Sequence, residues 1–164
     1  MATIDTLLAD GLVIRWHVEL PGNKQPDRLL FLLPGLAGRI DAALAGGSTW
    51  KIEETPAQQL DALTLDFVAG EPLTYRWQFS RLIHHHDGVW YLKTADVRLF
   101  GWFPFRDGFI AGAIGLTDLV KRSQLYFGFG SEIVRLRDNL PLDDPKFVGG
   151  TDPNAVVSNF TYPA

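Results

Sequence analysis

The chain contains no cysteine, which excludes a disulfide scaffold and every thiolate metal site. Long apolar runs are also missing. Runs such as Phe100–Phe105, which includes Gly101 and Pro104 and stops at Arg106, fall far short of the ~20 residues a spanning helix needs. The first ten residues carry Asp5 and Asp10 but no basic residue, so no secretory signal is expected and the expected location is cytoplasmic. Repeats and low-complexity tracts are absent as well. Membrane association is not expected either: the segment Phe109–Leu116 is rich in Gly, Ala and Ile, but it is too short for an interfacial helix.

What the chain does have is an apolar, aromatic composition. Of its 164 residues, 46% are hydrophobic and 12% aromatic, enough for one domain, residues 1–164, with a sizeable core. Charge is uneven along the sequence. Residues 1–71 carry a net −5, residues 72–137 a net +4 and the tail from Asp138 a net −3. The central excess is small, and its only adjacent basic pair is Lys121-Arg122. Phosphate-backbone recognition wants several clustered cations, so nucleic acid is not an expected partner.

Alternation and turn residues predict the elements. Residues 1–10 form a short helix or arm, with Thr3 or Asp5 as cap. Leu12–Leu20 alternates as a strand, with Ile14, Trp16, Val18 and Leu20 on one face. Leu29–Leu33 is an apolar run stopped by Pro34-Gly35, and Gly38–Ala45 reads as a short helix. Strands are expected at Thr49–Glu54 and Leu60–Val68. Asp87-Gly88 and Asp107-Gly108 have the composition of two-residue hairpin loops, which makes Leu73–His86, Val89–Phe103 and Phe109–Thr117 a three-stranded meander. Gln124–Gly130 and Glu132–Arg137 add one or two strands. Residues 138–164, broken by Pro141, Pro145, Gly149-Gly150 and Pro153, read as an extended arm. The predicted fold is mostly β: an antiparallel barrel or barrel-like sandwich of about eight strands, with one or two short helices.

Two-residue loops at both Asp-Gly pairs would fix the register. Phe79 would then face Asp96, Trp77 face Arg98 and Tyr75 face Phe100, with Trp102 opposite Ala113. Tyr75, Trp77, Trp90, Phe100 and Trp102 would line one surface over the small residues Ala111, Ala113 and Gly115, with Arg81, Asp96 and Arg98 among them. An apolar concavity with a few convergent polar groups is the usual form of a small-molecule site. The five aromatics are therefore the candidate walls for a small apolar or aromatic ligand. Arg81 and Arg98 are candidates to hold a carboxylate or developing oxyanion, and Asp96 to orient an arginine or act as base. Cofactor-independent cyclase, isomerase or lyase chemistry is the catalytic option, and no cofactor is expected. A bulge would shift this register.

Other motifs are weaker. His84 and His86 share a strand face and form the one metal-ligand pattern, but no Glu follows at a suitable short spacing and the only other histidine is His17. Leu29–Arg39 has the look of the strand-to-oxyanion-loop opening of α/β-hydrolases, yet the chain has no Gly-x-Ser-x-Gly elbow. Gly128–Ser131 is not followed by the lysine of a phosphate loop. The second functional expectation is a structural or assembly module, a homo-oligomer docking through its aromatic face and through an arm anchored by Phe147, Val156, Phe160 and Tyr162.

Overall fold

The computed structural model describes residues 2–82 and 87–164. In chain order the elements are α1 (Ile4–Ala9), β1 (Ile14–Arg15), β2 (Leu29–Leu32), α2 (Pro34–Ala43), α3 (Pro56–Ala69), β3 (Leu73–Thr74), β4 (Phe79–Arg81), β5 (Trp90–Lys93), β6 (Val97–Phe105), β7 (Gly108–Leu116), α4 (Thr117–Arg122), α5 (Tyr126–Asn139), α6 (Pro153–Val156) and β8 (Phe160–Thr161). The described residues form eight strands, as expected, but also six helices, and the large sheet is open rather than a barrel. Its order is β1-β2-β7-β6-β5-β4, with β3 and β8 forming a separate pair. All neighbours in the large sheet run antiparallel except β2 and β7, which are parallel.

Helices cover both faces. On one, Leu60, Leu63 and Phe67 of α3 and Leu36 of α2 pack over Leu30, Trp90, Leu92, Leu99 and Phe109. On the other, Leu7 of α1, Val120 of α4 and Ile133 of α5 pack over Phe31, Phe100, Trp102 and Ile110. With helices on each face, both faces must be apolar, and the long central strands β6 and β7 are buried along most of their length. Among the described residues, no helix is long and apolar enough to cross a membrane.

Two predicted strand regions are helices. Leu60–Val68 lies within α3, whose buried residues Leu60, Leu63, Thr64, Phe67 and Val68 follow the helical rather than the alternating period. Its start is a capping box: Thr55 accepts from the Gln58 backbone, Gln58 accepts from the Thr55 backbone, and Pro56 follows the cap. Gln124–Gly130 and Glu132–Arg137 fall largely in α5, a helix despite Gly128 and Gly130 because Gly130, Ile133 and Arg137 pack inward. Thr49–Glu54 forms no strand, and only Ile14–Arg15 of the predicted first strand pairs, although Trp16, Val18 and Leu20 do pack toward the core. The α1 cap at Thr3 and the helix after Pro34 agree with expectation.

The predicted register also shifts. Phe79 faces Leu92 and Arg81 faces Trp90, not the partners that a two-residue loop at Asp87-Gly88 would give. A turn at Thr94–Asp96 splits the expected long strand into β5 and β6. In the resulting ladder Tyr91 faces Phe100 and Leu92 faces Leu99, which places Trp90 and Phe100 on opposite faces of the sheet. Further along, Phe100 faces Ala113 but Gly101 faces Ala111, leaving Gly112 as an extra residue, a β-bulge. The second hairpin closes through Phe105 and Gly108, with Asp107 at positive φ.

The C-terminal arm is folded onto its own chain. β8 pairs with β3, Val156 and Val157 are buried, and the Phe160 ring meets that of Phe79. The Arg137 guanidinium stacks 3.6 Å from the Phe147 ring centroid. It also donates to the Asp87 carbonyl at 2.8 Å. Arg28, 1% exposed, gathers three segments: it donates to the carbonyls of Phe67, Glu71 and Asn159 at 3.0, 3.0 and 2.8 Å and pairs with Asp107 at 3.5 Å. Burial pulls its guanidinium below the ordinary arginine value against the opposing charge of Asp107.

Candidate anion-binding site

The split between β5 and β6 builds the most distinctive surface feature. The turn contains neither glycine nor proline and is held by side chains: Thr94 Oγ1 accepts from the Val97 N–H at 3.0 Å. Gln59 of α3 donates to the Asp96 carboxylate at 2.5 Å and accepts from the Asp96 N–H at 3.0 Å. The resulting ladder sets Lys93 directly opposite Arg98. Like charges so placed repel. Both cations share one ring, each 5.9 Å from the Tyr91 centroid.

Three other segments converge on this pair. Arg76 and Trp77 precede β4, with Arg76 at φ 73°, a left-handed conformation costly for a side chain with a Cβ. Lys121 comes from α4, and Trp50 from the loop before α3. Together with Arg98 and Thr117 they line an open cavity of about 330 Å³. Arg76, Lys93, Arg98 and Lys121 all line it, and no carboxylate does. Trp50 and Trp77 stand at its sides, 52% and 63% exposed.

Burial and unmet bonding add to the charge. Arg98 is 4% exposed and Thr117 1%. The guanidinium donates through Nη1 to the carbonyls of Thr94 and Val97 at 2.6 and 3.1 Å, but its Nε and the Thr117 Oγ1 are buried without a partner among the described residues. Such groups ordinarily find one. Burial, reinforced by the charges of Arg98 and Lys121, pulls the Lys93 ammonium from 10.5 to about 8. Partial burial pushes up the phenol of Tyr91, which lies beneath the two cations.

Asp96 lies behind this wall. Its carboxylate accepts from Ser48 Oγ at 2.6 Å and from the Thr49 N–H at 3.0 Å. Ser48 Oγ in turn accepts from the Trp50 N–H at 3.2 Å. Burial alone would push the carboxyl up, but the bonds from Ser48, Gln59 and the Thr49 and Trp50 backbone hold it below the ordinary range. Asp96 therefore fixes the Trp50 loop rather than facing a ligand.

A second cavity of about 310 Å³ adjoins the first, sharing Trp77, Lys93 and Thr94, and this one holds Glu54 and Asp66. A larger groove of about 710 Å³ runs beside residues 15–20. Its Arg15, His17, Glu19 and Lys24 side chains are all exposed, their signs are mixed, and Lys24 is bonded to the Ala69 carbonyl at 2.6 Å. It is larger but offers no fixed polar group.

Of the residues singled out from sequence, Arg98 and Trp77 meet in the cationic cavity. Arg81 is half-buried on β4, opposite Trp90. Tyr75, Trp90, Phe100 and Trp102 are packed within the cores, the first two on one side of the sheet and the last two on the other. His84 and His86 lie outside the described residues. Among those described, no group of three or more His, Asp or Glu side chains is arranged to hold a metal. Arg76, Lys93, Lys121, Trp50 and Thr117 were not singled out, although the first three belong to the net-positive stretch 72–137. No family model matches the chain, and neither a curated protein nor a solved structure is detectably similar to it.

Proposed function

We propose that the protein is a small-ligand-binding module whose ligand joins an apolar or aromatic body to a compact anionic group, a carboxylate or phosphate. The observation that carries this is the in-register pair Lys93 and Arg98 in a cavity with two further cations and no carboxylate. A bound anion would relieve their repulsion. The exposed faces of Trp50 and Trp77 suit a flat ring beside it. The earlier expectation of an apolar ligand is thereby narrowed, since the buried aromatics leave charge, not a greasy barrel interior, as the recognition element.

Titration with phenyl phosphate, followed by tryptophan fluorescence, tests the proposal. Saturable quenching is expected in the native protein and its loss in Trp77→Phe and Arg98→Gln. An equal response to uncharged benzyl alcohol, or a response unchanged in Arg98→Gln, overturns it.

Self-association is supported by a different observation. Leu119, Leu125 and Phe127 are 48%, 37% and 62% exposed around the α4–α5 junction, an apolar area of the kind that marks contact surfaces. A monomeric mass by light scattering across a concentration series would count against it.

A further inference from the structure

The two adjoining cavities differ in sign and share one amine. Lys93 lines both the cationic chamber and the one that holds Glu54 and Asp66. The cationic chamber also holds Arg76 and Arg98, whose guanidinium groups are not nucleophilic amines. The charge that can be shed lies on a lysine, and Lys93 is the one fixed opposite a buried arginine with Lys121 also nearby. Building on the anion-binding proposal, we infer that Lys93 is a nucleophilic amine that forms an imine with an anionic carbonyl compound, such as a 2-oxo acid, held by its carboxylate against Arg98 and Lys121.

The step balances without a further reactant. The neutral amine adds through its lone pair to the carbonyl carbon, and the former carbonyl oxygen becomes the hydroxyl of a carbinolamine. The nitrogen then expels that oxygen as water, which carries away the protons lost from nitrogen, and the C=N bond remains. Hydrolysis returns both partners. Desolvation beside other cations is the usual way a lysine is activated for this chemistry. At pH 7.5 a lysine with a value near 8 has on the order of a hundredfold more neutral amine than an ordinary one. The charged or titratable groups around it are Arg98 from β6, Lys121 from α4, Arg76 from the turn before β4 and Tyr91 on its own strand. Asp66 of α3 and Glu54 lie on the acidic side. Burial and the charge of Glu71 push the Asp66 carboxyl up despite Arg28 and the Gln78 hydrogen bond, which suits that chamber to proton exchange with the leaving hydroxyl.

The experiment is borohydride trapping with glyoxylate, mapped by peptide mass spectrometry. At pH 7.5 the reduced adduct should fall on Lys93 in about tenfold excess over each of the other lysines, and its yield should rise with pH around a midpoint near 8. Phenyl phosphate should suppress it, and Lys93→Arg should abolish the adduct at that position. Adducts spread evenly over Lys24, Lys51, Lys121 and Lys146, or labelling of Lys93 that phenyl phosphate does not reduce, overturn the inference. Phenyl phosphate binding without selective trapping defeats the imine alone; absence of both defeats the binding proposal beneath it.

Discussion

Lys93 and Arg98 face each other in the β5–β6 ladder, and each holds its charge 5.9 Å from the centroid of Tyr91. No carboxylate lines the cationic cavity that they share. A directly opposed pair of like charges destabilises a sheet, so the arrangement works against the fold and in favour of an anion.

Lys93→Met should therefore stabilise the protein in the absence of ligand, by roughly 0.5–1 kcal/mol at neutral pH, read from the urea midpoint. The pH dependence has a definite sign. Between about 8 and 10.5 the folded Lys93 has lost its proton while the unfolded chain retains it. The unfolded state binds more protons there, and stability must rise with pH across that window. Below pH 8 both states are charged and the penalty is constant. The difference between native and Lys93→Met curves should shrink from pH 8 upward; a flat difference would remove the like-charge account.

Asp96→Asn should cost about 2–3 kcal/mol, because an amide nitrogen would be turned toward the donors Ser48 Oγ, Thr49 N and Gln59 Nε2, and bonds to a charged acceptor are among the stronger ones. The carboxyl sits below its ordinary range when folded. Its contribution is thus complete above the unfolded value of about 3.9 and is lost as pH falls through the folded one. Urea unfolding between pH 2 and 6 measures this. The same substitution should weaken phenyl phosphate quenching, since Trp50 loses its support.

Arg28→Met should lower stability by about 3 kcal/mol by stranding Asp107 and three carbonyls from separate segments. Arg28→Lys should recover only part of that, because an ammonium lacks the planar fork that reaches all of them. Limited proteolysis offers a second readout: the arm from residue 157 should be cut in Arg28→Met under conditions that spare the native chain.

Arg76→Gly separates stability from binding. Removing the Cβ at φ 73° relieves a conformation that costs of order 1 kcal/mol or more, offset in part by the greater freedom of glycine when unfolded. The thermal midpoint should hold or rise while phenyl phosphate affinity falls. A matching drop in both would mean that Arg76 is structural.

Gly101→Ala tests the packing of the central strands. A Cβ there would fall 2.0 Å from the Ile110 carbonyl oxygen, a backbone atom that cannot rotate away. A loss of about 3 kcal/mol is expected, against little change at Gly128, where nothing lies within 4 Å.

Much of the β6–β7 hairpin was legible, because nine-residue apolar strands around a turn leave few alternatives. The signals for α3 were also in the sequence: Thr55, Pro56 and Gln58 announce a helix start, and only the alternation of Leu63, Leu65 and Phe67 disguised it. Helix α5 was harder, since glycines at 128 and 130 weaken helix propensity and the packing of Ile133 against the sheet outweighs them. The turn at Thr94–Asp96 hides for another reason. Its determinants are the side chains of Gln59 and Ser48, some forty residues away. That single turn sends Trp90 and Phe100 to opposite faces, so the aromatic surface inferred from a continuous strand does not exist. The cations of the cavity stood in the positive central stretch, but their grouping depends on α4 and the Trp50 loop folding over one end of the sheet.

The parallel pairing of β2 with β7 has a consequence for synthesis. Leu29 pairs with Gly108 and Leu32 with Ala111, so the N-terminal strands have no seat in the sheet until the second half of the chain exists. A nascent chain leaving the ribosome carries the apolar run Leu29–Leu33 with only β1 beside it throughout that interval. Seating this early segment beside a hairpin made late is a long-range step, and fragments ending before Gly108 should leave that edge open and aggregate.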